Sequence, residues 1–147
     1  MNGAENSTIY VVDDDISIRE SLSSLLRAEG FSVVVFASAD EFLALPLISP
    51  RSCLLLDVRM PDIDGLTLQE MLTTMGREIP IIFITGHGDI PQAVRAMKAG
   101  AVDFLKKPFS DTELLQAVQS ALALNRADGD EQVALTTLKA RYDLLTP

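Results

Sequence analysis

Cysteine, histidine and clustered cations are scarce in this 147-residue chain, and each scarcity removes a class of protein. A single cysteine, Cys53, cannot close an internal disulfide, and its place in the run Cys53-Leu54-Leu55-Leu56 marks it as a small buried hydrophobe rather than a reactive thiol. Lys and Arg number 12 against 21 Asp and Glu, for a formal charge of −9, and the cations are spread along the chain. No basic stripe tracks a phosphate backbone, so this segment is a poor nucleic-acid binder by itself. The one histidine, His87, lies between Gly86 and Gly88 and reads as a hydrogen-bonding loop residue; the glycines lack the spacing of a P-loop. No apolar window approaches the ~18 residues that cross a bilayer. Residues 1–8 lack the basic and hydrophobic regions of a signal peptide, so no membrane association and a cytoplasmic address are expected.

What is present is a rhythm. Five apolar runs, Ile9–Val12, Val33–Phe36, Cys53–Leu56, Ile81–Ile84 and Ala101–Leu105, are nearly unbroken instead of alternating. That pattern predicts strands buried on both faces of a parallel sheet. Helical spacing fills the intervals. Ile18, Leu22, Leu25 and Leu26 precede Gly30, a natural helix stop. Ser38 and Glu41 have capping-box spacing ahead of Phe42, Leu45 and Pro46. A third helix uses Leu68, Met71, Leu72 and Met75; a fourth starts near Asp89 or Ile90, with Pro91 in its first turn, and runs through Val94 and Met97 to Gly100. Ser110 and Glu113 repeat the capping box before Leu114, Leu115, Val118 and Leu122. Five strand-then-helix units imply right-handed crossovers, a doubly wound α/β sheet, and a site beyond the carboxyl ends of its strands.

The residues at those ends carry the chemistry. Asp13-Asp14-Asp15 follows the first strand and Asp57 terminates the third. If these strands are neighbours, the carboxylates converge and raise one another's pKa unless a cation compensates. Mg²⁺ suits such a site, being held by one or two carboxylates while it keeps several waters. An Asp triplet alone would read as a solvated turn with Asp15 capping the next helix. Asp57, directly behind four apolar residues and ahead of Met60-Pro61-Asp62-Ile63-Asp64-Gly65, is harder to explain as surface charge. Thr85 closes the fourth strand with a hydroxyl, and Lys107 follows the fifth with a cation. Together these groups can bind metal, attack phosphorus through a carboxylate and hold phosphoryl oxygens.

At these residues the sequence resembles the response-regulator receiver family over residues 8–124. The motifs are V-V-D-D at Val11–Asp14, L-L-L-D-V-R-M-P-D-I-D-G at Leu54–Gly65, I-T-G at Ile84–Gly86 and K-P at Lys107-Pro108. The FixJ-like subgroup is closest in style, through T-G-H-G-D at Thr85–Asp89 and A-M-K-A-G-A-V-D-F-L-K-K-P-F at Ala96–Phe109. The resemblance implies a flavodoxin-like five-stranded sheet of order 2-1-3-4-5 with five helices. It implies Asp57 as phosphoacceptor from a cognate sensor histidine kinase. Mg²⁺, with Mn²⁺ as substitute, would be bound by Asp14, Asp57 and the backbone carbonyl of Arg59, with Asp13 acting through water. Thr85 would bond the phosphoryl group, Lys107 would pair with it after a cis peptide to Pro108, and Phe104 would move inward as the switch aromatic. Such a domain is a signalling module that assists its own phosphorylation and dephosphorylation, not an enzyme with a turnover substrate.

The resemblance assigns residues 1–124 to the receiver. Residues 125–147 read as a linker: Asn125–Gln132 is polar, and Leu135, Leu138, Tyr142 and Leu145 step by 3, 4 and 3 like a short coiled-coil seam or a surface helix. The ending Leu145-Thr146-Pro147 resembles the approach to a helix-turn-helix output domain. The expected whole is a transcription regulator whose phosphorylation drives homodimerisation through the fourth helix, fifth strand and fifth helix, and which meets DNA only through that absent domain. The competing enzyme reading, a haloacid-dehalogenase-type phosphatase, would use Asp13 as nucleophile and Asp15 as acid. Ile16 and Ser17 depart from that family's D-G-T continuation.

Overall fold

The computed structural model describes residues 7–46, 48–60, 63–86 and 90–124. The order is β1 (Thr8–Val12), α1 (Ile16–Ala28), β2 (Ser32–Phe36), α2 (Ala39–Leu43), β3 (Ser52–Asp57), α3 (Gly65–Met75), β4 (Ile81–Thr85), α4 (Ile90–Lys98) and β5 (Asp103–Lys106). Residues 111–124 form a further helix, α5. All neighbouring strands pair in parallel, in the order β2-β1-β3-β4-β5. The expected doubly wound topology is therefore the observed one. The tail reading at 125–147 lies outside the described residues, as does His87.

Two apolar layers sandwich the sheet. On one face Ile9, Val11, Cys53, Leu55, Ile82 and Ile84 meet Leu22 and Leu26 of α1 and Leu114, Val118 and Ala121 of α5. On the other, Tyr10, Val12, Leu54, Leu56 and Phe83 meet Phe42, Leu68, Leu72 and Ala96. Burial of β3 and β4 is complete along their length, because two strands flank each of them and a helix layer covers either side. Cys53 is fully buried and its thiol is pushed up to about 12 by desolvation, so it is inert as a nucleophile.

Local chemistry sets the helix ends. Asp15 caps α1, its Oδ1 accepting the Ser17 N–H at 2.8 Å. Ser110 and Glu113 form the reciprocal box, with bonds of 2.8 and 3.1 Å. Ser38 caps α2, but Glu41 reaches back one residue beyond the usual position, accepting from Ala37 N–H at 3.0 Å.

Three expectations need correction. β2 is not buried on both faces: as an edge strand it leaves Val34 and Val35 exposed. β5 starts at Asp103, because Ala101 belongs to the turn whose N–H bonds back to Ala96. In α4 the large residues point outward. Ala93 and Ala96 are buried, whereas Ile90, Val94 and Met97 are 41%, 45% and 37% exposed. Met75 of α3 is likewise exposed.

Candidate functional site

Parallel pairing brings the predicted residues to one rim. Val12 is in register with Leu56 and Asp57 with Ile84, while Thr85 is in register with Lys106, so β1, β3, β4 and β5 end side by side. Asp13, Asp14 and Asp57 each offer a carboxylate oxygen within 4.8 Å of the others. Lys107 Nζ stands 3.9 Å from Asp13 Oδ2 and 3.9 Å from Asp57 Oδ2, and the Lys107–Pro108 peptide is cis.

Burial makes this crowding matter. Asp13 is fully buried and Asp57 is 7% exposed, whereas Asp14 faces solvent. Desolvation first, then the Asp13 charge, pushes Asp57 up to about 7, although the Arg59 N–H and the Lys107 ammonium act in the opposite direction. Asp13 is also raised, chiefly by desolvation, against the bond from the Asp15 N–H. Two buried acids face one another beside the Lys107 ammonium, and their mutual repulsion and desolvation outweigh its pull on Asp57.

Backbone bonds hold the acids in place. Arg59 N–H donates to Asp57 Oδ1 at 3.1 Å, and Asp15 N–H donates to Asp13 Oδ1 at 2.9 Å. The Arg19 guanidinium donates to the Asp13 carbonyl at 2.7 Å, a brace that no sequence signal marked. Asp13 Oδ2 is left without a hydrogen-bond partner although it is buried, since the Lys107 ammonium is beyond bonding reach. An orphaned carboxylate oxygen aimed into a three-carboxylate cluster fits a divalent cation with hard oxygen ligands.

Thr85 is fully buried, and its hydroxyl makes a long 3.5 Å bond to the Leu105 carbonyl. Phe104 is partly buried against the layer that contains Phe83 and Ala96. Sequence reasoning missed how tightly Gly65 sits. A Cβ there would lie 2.5 Å from the Asp57 carbonyl oxygen, 2.8 Å from the Phe83 ring and 3.1 Å from Val58 Cα. Its N–H donates to the carbonyl of Val58, the residue that follows Asp57, at 2.9 Å, so α3 starts on the backbone just beyond the acid.

The response regulator receiver domain is the family whose model matches this chain, over residues 9–119. The chain belongs to that family. Nodulation protein W of Bradyrhizobium diazoefficiens is 51% identical over 139 residues, covering 95% of this chain and 61% of the relative. The transcriptional regulatory protein FixJ of the same organism is 44% identical over 140 residues, covering 95% and 68%. Among solved structures, the response regulator StyR superposes with a TM-score of 0.81 at 46% identity, covering 97% of this chain and 72% of that one. The FixJ-N crystal structure gives 0.74 at 44% identity, covering 80% and 94%. The chain thus spans about three fifths of the nodulation protein's length. It is a FixJ-like receiver domain of the two-component type, and its relatives include transcription regulators.

Proposed function

We propose that this receiver accepts a phosphoryl group on Asp57 from the phosphohistidine of a cognate sensor kinase. The observation that carries this reading is the geometry around Asp57: a nearly buried carboxylate at a strand end, facing Asp13 and Asp14, with the Lys107 ammonium 3.9 Å away. An Asp57 carboxylate oxygen attacks phosphorus as the phosphorus–nitrogen bond breaks and the kinase imidazole leaves, giving an aspartyl phosphate. Thr85 and Lys107 are assigned to the phosphoryl oxygens. Mg²⁺, or Mn²⁺ in its place, would be held by Asp14, Asp57 and the Arg59 carbonyl, with Asp13 through water, and would supply neutralisation of the gathered charge. The residues present fit that ion.

The downstream event is a change in α4, β5 and α5, with Phe104 moving inward as Thr85 leaves the Leu105 carbonyl. Homodimerisation through the α4-β5-α5 face follows, supported by the exposed Ile90, Val94 and Met97. Moving such a switch from mostly inactive to mostly active takes on the order of 5 kcal/mol of differential stabilisation. Residues 1–124 are the receiver unit in this proposal, and 125–147 lead toward a DNA-binding output domain in a cytoplasmic transcription regulator. Asp15 is spent as the cap of α1, which counts against a phosphatase that would need it as an acid.

The test is labelling. Wild type treated with acetyl phosphate and Mg²⁺ should gain one phosphoryl mass by intact mass spectrometry, and Asp57→Asn should gain none; equal labelling of both would sink the assignment. In-line light scattering of the beryllofluoride-treated wild type should show a doubled mass, and a persistent monomer would remove the dimer. A second expectation concerns protons. Because Asp57 is raised to about 7, metal must displace a proton at lower pH. Mg²⁺ affinity should fall about tenfold for each pH unit below 7 and level off above it; calorimetry in two buffers of different ionisation heat would detect the released proton, and a pH-independent affinity would contradict the site.

A further inference from the structure

Helix α3 touches two things that matter. At its start, Gly65 lies so close to the acceptor backbone that a Cβ would meet the Asp57 carbonyl oxygen at 2.5 Å. One turn on, at i+4 and therefore on the same face, Gln69 is 5% exposed and its Nε2 donates to the Ala96 carbonyl of α4 at 3.2 Å. That carbonyl also accepts the Ala99 and Ala101 N–H groups at 3.1 and 3.0 Å, which turn the chain from α4 into β5. Gln69 thus closes the C-terminal turn of α4 from outside the helix.

The packing of α4 makes this bond weigh more than most. Its buried residues are Ala93 and Ala96, each with one methyl to bury, while Ile90, Val94 and Met97 face outward. A helix attached through alanines loses little apolar contact when it shifts, so a buried hydrogen bond is a large share of what fixes its position. Gln69 is neutral and buried, so its donor has little water to fall back on if the bond to Ala96 is lost.

We propose that Gln69 is a positioning residue that ties α4, through the start of α3, to the end of β3 that bears Asp57, and holds it in the unphosphorylated arrangement. The chain of contact runs from the Asp57 carbonyl to Gly65, along one turn of α3 to Gln69, and across to Ala96. A shift of the β3–α3 junction when Asp57 is occupied carries Gln69 with it and strips the bond from α4. This rests on Asp57 being the acceptor. By linkage, a contact made only in the unoccupied state opposes occupancy, and its loss must strengthen binding at Asp57.

The experiment uses the full chain with Mg²⁺ and beryllium fluoride as the phosphoryl mimic, titrated by fluorine NMR. Gln69→Met keeps length and volume but has no donor, and it should bind the mimic about 3- to 10-fold more tightly than wild type, the range set by one net hydrogen bond. A residue with only a structural role would leave affinity unchanged or weaken it, and either result overturns the proposal. A second measurement needs no variant. The Gln69 side-chain amide protons of wild type should be protected from exchange without the mimic and lose that protection when it saturates the site; protection that persists overturns the proposal equally. Failure of wild type to bind the mimic at all would remove the acceptor assignment, and this inference with it. Tight wild-type binding with an unresponsive Gln69 removes this inference alone.

Discussion

Replacing Gly65 with alanine is expected to cost about 2 kcal/mol of stability and to slow phosphorylation of Asp57 by at least about tenfold. The added methyl would lie 2.5 Å from the Asp57 carbonyl oxygen and 2.8 Å from the Phe83 ring, and neither can yield by rotating a flexible tip. Phe83 is fully buried, and the carbonyl is that of Asp57, the proposed acceptor, at the end of β3. Relief must come from moving backbone, either α3 away from the sheet or Asp57 away from Asp13 and Lys107. Alanine's better helix propensity returns under ~1 kcal/mol, too little to offset overpacking of 1–3 kcal/mol when the obstacle is backbone. The control is Gly76→Ala. Gly76 ends α3 at φ 74 with open space around it, so alanine there is strained but touches nothing at the site. Denaturant unfolding should show both variants destabilised; acetyl phosphate labelling should be slowed only by Gly65→Ala. Equal labelling rates for Gly65→Ala and wild type would mean that α3 does not set the height of Asp57.

Much of this arrangement is legible before any coordinates are drawn. An unbroken run such as Cys53–Leu56 can satisfy both its faces only between two helix layers, and β3 and β4 are buried along their whole length as that pattern implies. Carboxylates placed directly after such runs are carried to the sheet rim by the strand itself, which is why Asp13, Asp57, Thr85 and Lys107 could be grouped from position alone. The failures share a different cause: they depend on what lies opposite a residue. Val34 and Val35 read as core, yet no strand lies beyond β2 to cover them. Val94 and Met97 mark the helical spacing of α4, but the spacing does not say which side meets the sheet, and the buried positions are Ala93 and Ala96. Gln69 carries no sequence signal, because a glutamine between Leu68 and Leu72 looks like the edge of a polar face. Only its proximity to Ala96 gives it a partner.

Metal-free protein should lose stability as pH rises through the range in which Asp57 ionises. Asp57 carries an ordinary value of 3.8 when solvated and about 7 in the fold, so between roughly those two limits the native state binds more protons than the unfolded chain. Stability therefore falls as pH rises across that window, is unaffected by this group below it, and bears the full deficit above it. Asp13 shifts in the same direction and adds to the slope. Asp57→Asn removes the charge while its side-chain oxygen can still accept the Arg59 N–H, so the variant should be the more stable protein when metal is withheld. The gap between variant and wild type is expected to widen by on the order of 2 kcal/mol from pH 5 to pH 8, since about three pKa units at 1.36 kcal/mol each are distributed over a range that begins below pH 5. Denaturant titrations in a chelator at several pH values would measure it, and the difference cancels the contribution of acids remote from the site, while Asp13, which is coupled to Asp57, stays part of what is read. Saturating Mg²⁺ should shrink the gap, because the cation restores the charge balance that burial removed. A gap that stayed flat with pH would mean that Asp57 ionises as freely as a surface carboxylate, and the crowding of Asp13, Asp14 and Asp57 would then have no energetic consequence. A widening gap would show that the fold tolerates a destabilised carboxylate at this rim, which is the condition under which binding a cation and then a phosphoryl group can do work on the rest of the molecule.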